Sequence, residues 1–63
     1  MNRAERKAVL ELKYLYAAVE AAVRKAEGGR WSEAALAVVR VEGLVVKAKS
    51  ALWLARFGEV LRG

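Results

Sequence analysis

Seven residue types are absent from this 63-residue chain: Cys, His, Pro, Asp, Thr, Gln and Ile. Each absence narrows what the chain can do. Without Cys or His there is no disulfide, no thiol nucleophile, no imidazole base and no zinc site of the usual ligands. Without Pro, and with only five Gly, the composition is not that of a disordered linker. Long apolar runs are missing too. The longest uncharged stretches, residues 14–19, 34–39 and 50–55, are six residues each, whereas a membrane-spanning helix needs about 18 or more. The first seven residues hold Arg3, Glu5, Arg6 and Lys7, with no apolar core behind them of signal-peptide length. Neither a visible export signal nor a membrane span is expected.

What remains is apolar and basic at once. Hydrophobic residues make up 57% of the chain, yet twelve Lys and Arg stand against seven acids, all Glu, for a formal net charge of +5 and a pI near 10.1. A domain this small has a large surface for its volume and should favour polar residues. The scarcity of Asn and Met, with abundant Arg and Glu, fits a thermophile source.

The pattern predicts an all-α chain: one helical hairpin over 1–63, with a helix over about 3–27, a turn over about 28–31 and a helix over about 33–61. Asn2 and Glu5 have capping-box spacing at the first helix start. Ala, Leu, Glu, Lys and Arg dominate the next stretch and are strong helix formers. Gly28 and Gly29 end it, and Arg24 and Lys25 suit the negative end of its dipole. Ser32 is the expected cap of the second helix, with Trp31 before it and Leu36 after it at hydrophobic-staple spacing. Val38, Val39, Val45 and Val46 weaken the helical preference. Glu33, Arg40 and Lys47 recur every seven residues and restore it.

Heptad spacing predicts how the helices pair. Ala8, Leu12, Leu15, Val19, Ala22 and Ala26 alternate steps of four and three, as do Ala34, Val38, Val41, Val45, Ala48, Leu52 and Ala55. Folding at Gly29 stacks Ala8 on Leu52, Leu12 on Ala48, Leu15 on Val45 and Val19 on Val41. Ala22 then meets Val38, and Ala26 meets Ala34. Small side chains in these layers let the helices approach closely.

The second helix carries a further apolar stripe that this seam leaves uncovered: Ala35, Leu36, Val39, Gly43, Val46, Trp53, Leu54, Phe57 and Leu61. Helix 1 has a smaller one at Leu10, Tyr14, Ala17 and Ala21. Apolar patches of this extent mark contacts with other chains. The expected assembly contacts are Leu36, Val39, Gly43, Val46, Ser50, Trp53 and Phe57, through which the hairpin self-associates into a larger helical assembly or a dimeric four-helix bundle. Gly43 costs about 1 kcal/mol against Ala in a helix interior, a cost that close approach of another helix would offset.

Catalytic chemistry has little to work with. Glu, Lys and Tyr are the side chains left for proton transfer, and no pair of them stands out. Ser32 and Ser50 are better explained by capping and packing than as nucleophiles. Gly28 and Gly29 lack the rest of a phosphate loop. The expectation is a protein that is not an enzyme, with no cofactor, metal or small-molecule substrate. Charge points elsewhere. An antiparallel hairpin gathers Arg3, Arg6, Lys7, Arg56 and Arg62 at its open end against Glu5 and Glu59. These five cations are the expected contacts to nucleic-acid phosphates, made without sequence specificity. Tyr14 is the aromatic best placed to stack on a base.

Two families share this pattern. In length, Ala/Val/Leu/Arg/Glu bias, a two-faced second helix, the Gly43–Ser50 line and basic excess, the chain resembles the helical-hairpin major coat proteins of bacilliform archaeal viruses of the clavavirus type. That likeness implies a coat subunit tiling a shell around DNA, located in the virion. In length, hairpin register and the run Leu54-Ala55-Arg56-Phe57-Gly58, it is similar to Rop, the dimeric hairpin regulator of plasmid copy number, which implies RNA binding and a cytoplasmic location. The outer residues used there on RNA would fall on Arg3, Tyr14 and Lys25. Leu10 and Ala18 stand where polar residues are expected between them. The segment Gly29-Arg30-Trp31-Ser32-Glu33-Ala34 looks like a turn of tetratricopeptide-type hairpins, although one hairpin is too short for such an array.

Overall fold

The computed structural model of the chain describes the backbone of residues 1–62 and the side chains of residues 1–58. Two helices, α1 (Arg3–Glu27) and α2 (Trp31–Arg62), form an antiparallel hairpin measuring 51 × 18 × 10 Å. No helix among the described residues is long and apolar enough to cross a membrane.

The start of α1 is held by a capping box. The Glu5 amide donates to the Asn2 side chain at 2.8 Å, and the Asn2 amide donates to the Glu5 carboxylate at 3.0 Å. Two amides that the helix cannot pair internally are thereby satisfied. At the other end Gly29 takes the left-handed region, φ 78°. That lets the Gly29 amide reach the Ala26 carbonyl at 3.0 Å and the Arg30 amide reach the Lys25 carbonyl at 2.9 Å, the paired bonds of a Schellman ending.

The turn also corrects the expected start of α2. The Ala34 amide donates to the Arg30 carbonyl at 2.9 Å, so the helix begins at Trp31 and not at Glu33. Ser32 lies inside the first turn and is not the cap. Arg30, directly after the Schellman ending, thus takes the N-cap role expected of Ser32. Trp31 is consequently five residues before Leu36 on one helix, about 140° round the axis, and no staple joins them. Trp31 is 70% exposed.

The expected seam forms in part. Its buried members are Ala8 and Ala22 of α1 with Ala34 and Ala48 of α2, and Ala51, outside the expected layers, is buried with them. Leu15, Ala26, Val41 and Ala55 are half-buried, as are Ala4, Ala18, Ala37, Leu44 and Gly58. The helices therefore touch along residues 4, 8, 11, 15, 18 and 22 of α1 and 34, 37, 41, 44, 48, 51, 55 and 58 of α2. Leu12, Val19, Val38, Val45 and Leu52, expected in the layers, are exposed. Lines of alanine permit closer contact than lines of valine and leucine, so the hairpin closes on its alanines and turns the larger side chains out to one flank.

Candidate functional site

The helical geometry sorts the exposed residues into faces. Seen from one end, α1 recedes and α2 approaches, so successive residues rotate in opposite senses on the two helices. Residues just after the seam positions in rotation thus share one broad face of the hairpin, and residues just before them share the other.

The first broad face is apolar. It is built from Val9, Leu12, Tyr16, Val19 and Val23 of α1 with Val38, Val45 and Leu52 of α2, all exposed. No charge interrupts its α1 half between Val9 and Val23. Its rims carry Glu5 and Glu27 on α1 and Glu42, Lys49 and Arg56 on α2.

The opposite broad face is basic. Arg3, Lys7 and Lys25 of α1 and Arg40 and Lys47 of α2 lie there, against the single carboxylate, among the described side chains, of Glu33. Glu33 stands 3.7 Å from Arg30. An open groove runs between the helices on this side, walled by Tyr14, Lys25, Leu36 and Arg40 and floored by Ala18 and Ala37. Tyr14 is exposed above it.

A third surface is the outer side of α2, farthest from α1. Val39, Val46, Trp53 and Phe57 line it and are exposed. The Trp53 and Phe57 rings pack on each other with centroids 4.6 Å apart and planes at 33°. Ser50 lies within this strip. Leu36 and Gly43 border it on the side toward the basic face. A Cβ added at Gly43 meets nothing within 4 Å, so no contact inside the hairpin requires glycine there. Leu61, counted in the same stripe, lies outside the described side chains.

Four of the five open-end cations have described side chains, and these four turn to different sides of the hairpin. Arg3 and Lys7 belong to the basic face. Arg6 turns to the outer side of α1, its Nε donating to the Met1 carbonyl at 3.2 Å. Arg56 is on the rim of the apolar face, its guanidinium carbon 5.9 Å from the Phe57 ring centroid. Arg62 and Glu59 lie outside the described side chains.

Two features escape the sequence pattern as read above. Residues 9, 12, 16, 19 and 23 alternate steps of three and four as regularly as the expected seam, and that run carries the apolar face. Arg40 and Lys47, a narrow strip when α2 is taken alone, join the cations of α1 only once the helices are set side by side. Among the described residues no cluster of acids able to hold a metal ion occurs.

No family model, curated protein or solved structure matches the chain. Of the resemblances drawn from the sequence, the two-helix hairpin is supported and no family is identified.

Proposed function

We propose that this chain is a non-enzymatic, self-associating structural protein. Hairpins pair through the apolar face into a four-helix unit, and the outer strip of α2 joins such units into a coat or filament around nucleic acid. The observation that carries this reading is the apolar face itself: eight large side chains exposed together on a hairpin whose only buried hydrophobic side chains, among the described residues, are five alanines. Fully burying a Val or Leu is worth about 1.5–3 kcal/mol. These side chains are 37–72% exposed in the hairpin, so covering each is worth roughly half of that, and symmetric pairing counts every one twice. Because the outer strip faces a different direction, it stays available after pairing, which supports growth beyond a dimer. The basic face also remains outward, where it suits a phosphate backbone.

A second reading is a discrete dimer that acts as an RNA-binding regulator or adaptor. It is favoured by Arg3, Tyr14 and Lys25 sharing one side of α1. Particle size separates the two. Light scattering with electron microscopy on the purified chain, with and without DNA, is expected to find large regular assemblies. A uniform dimer under every condition overturns the coat reading and leaves the regulator.

A further inference from the structure

The rims of the apolar face carry unlike charges. Along α1 the rim holds only carboxylates, Glu5 near the open end and Glu27 at the turn end. Along α2 it holds Arg56 and Lys49 toward the open end and Glu42 near the middle. All five are exposed. The two ion pairs formed within the hairpin among the described residues, Glu20 with Arg24 and Arg30 with Glu33, use none of them. Within one hairpin Glu5 also closes the capping box of α1 and Arg56 lies near the Phe57 ring, while Glu27, Glu42 and Lys49 are left for contacts outside it.

Two hairpins can close their apolar faces on each other symmetrically in two ways. If the turns lie at the same end, α1 of each copy rests against α2 of the other. Residues whose numbers sum to about 58 then stand level, since the chain folds back at Gly28 and Gly29. Glu5 falls between the partner's Lys49 and the partner's Arg56, and Glu42 stands level with the hydroxyl of the partner's Tyr16. Each contact is attractive and each occurs twice. If the turns lie at opposite ends, α1 rests against α1 and α2 against α2. Glu5 then meets the partner's Glu27, and Glu42 meets the partner's Glu42. Both carboxylate contacts are repulsive, and Lys49 and Arg56 stand level with no rim carboxylate of the partner; interface charge patterns of this kind disfavour the wrong register.

We infer that two copies of this chain pair with both turns at the same end, α1 of each against α2 of the other, in an orientation chosen by these rim charges. The inference rests on the pairing through the apolar face proposed above. The size of the face supports a second copy as its occupant. The whole broad side of the hairpin, 51 Å by 18 Å across its Cα atoms, spans roughly 900 Å2, comparable to the ~800 Å2 per partner of a standard stable interface, with the apolar residues in its middle and the charges toward its ends and edges. The orientation has a functional consequence. Arg3, Arg6 and Lys7 of both copies gather at one end, so the dimer is polar along its axis, with one strongly cationic tip.

The chain has no native cysteine, so a single Ser32→Cys variant can carry one spin label at the turn end of each copy. Pulsed dipolar spectroscopy then reads the orientation directly. Turns at the same end place the two labels about 30 Å apart or less, the width of a four-helix unit. Turns at opposite ends place them more than about 30 Å apart, since about 20 residues of helix rise, roughly 30 Å along the axis, add to the lateral separation. The short distance is expected. The triple variant Glu27→Lys, Lys49→Glu, Arg56→Glu reverses the preference, and in it the long distance is expected. A long distance in the parent protein, or both distances together, overturns the orientation while leaving the pairing intact. A short distance unmoved by the triple variant overturns the role of the charges. Absence of any dipolar coupling shows unpaired hairpins and overturns the pairing itself.

Discussion

Leu12 follows Ala8 by one helical turn, yet Ala8 is sealed against α2 at 3% exposure while Leu12 stands 41% exposed. The smaller side chain holds the protomer together, and the larger one lies on the flank beside it. The same inversion occurs on α2, where Ala48 is buried and Val45 is exposed. A chain arranged this way leaves its larger apolar side chains exposed beside a seam of small ones.

Leu12→Ala is therefore expected to act on association more than on the hairpin. If the Leu12 side chain becomes buried in the pair, truncation costs about 2–5 kcal/mol per site, twice in a symmetric dimer. Sedimentation equilibrium should show the dissociation constant rising by several orders of magnitude, while Lys13→Ala, on the outer side of α1, leaves it unchanged. A dissociation constant within twofold of the parent in Leu12→Ala would place the dimer contact elsewhere.

How much of this was legible beforehand depends on which residues are considered. The capping box of Asn2 and Glu5 and the ending at Gly28 and Gly29 are local chemistry, decided within a few residues, and both helices follow from them. Which side of each helix faces its mate is a tertiary question. The runs through Leu12 and Val19 and through Glu11 and Ala18 share Ala8, Leu15 and Ala22, and periodicity alone does not choose between them. Hydrophobicity favours the run with Leu and Val; close approach of two backbones favours the run with Ala. The heptad run therefore takes in both the small residues of the seam and the larger ones, Leu12, Val19, Val38, Val45 and Leu52, that stand exposed beside it. Grouping the open-end cations by level along the axis says nothing about which way Arg6 and Arg56 turn.

Gly43 separates the protomer from the assembly. Its added Cβ meets nothing within the hairpin, so Gly43→Ala should stabilise the isolated helix by about 1 kcal/mol. Gly43→Leu should keep the helical circular-dichroism signal and the dimer but block growth along the outer strip of α2. Large particles formed normally by Gly43→Leu would remove the need for close approach at this position.

The two turn glycines should respond in opposite directions. Gly29 has φ 78°, a region costing an L side chain about 1–2 kcal/mol, so Gly29→Ala is expected to lower the melting temperature. Gly28 has φ −79°, and a Cβ there makes ordinary contact, 3.5 Å from the Arg24 carbonyl oxygen. Gly28→Ala should be neutral or stabilising by up to about 1 kcal/mol, through a less flexible unfolded chain. Equal losses in the two variants would contradict the turn geometry.

Nucleic-acid binding, if carried by the basic face, should respond to residues from both helices. Replacing Lys7, Lys25, Arg40 and Lys47 by Gln is expected to weaken binding to DNA of any sequence. The slope of log affinity against log salt should also shrink, by about 0.9 for each duplex phosphate that is no longer neutralised. Arg56→Gln, on the other face, should leave that slope unchanged. An unaltered salt slope in the fourfold variant would move the phosphate-binding cations off this face.

Coverage of the apolar face by another copy of the chain is the claim on which the proposed assembly depends. The molar mass of the purified protein, followed by sedimentation equilibrium across a wide concentration range at moderate salt, tests it most directly. The expected result is a mass of twice 6.9 kDa or an even multiple of it, with helicity lost only as the assembly dissociates. A fully helical, stable 6.9 kDa monomer at every concentration would contradict it.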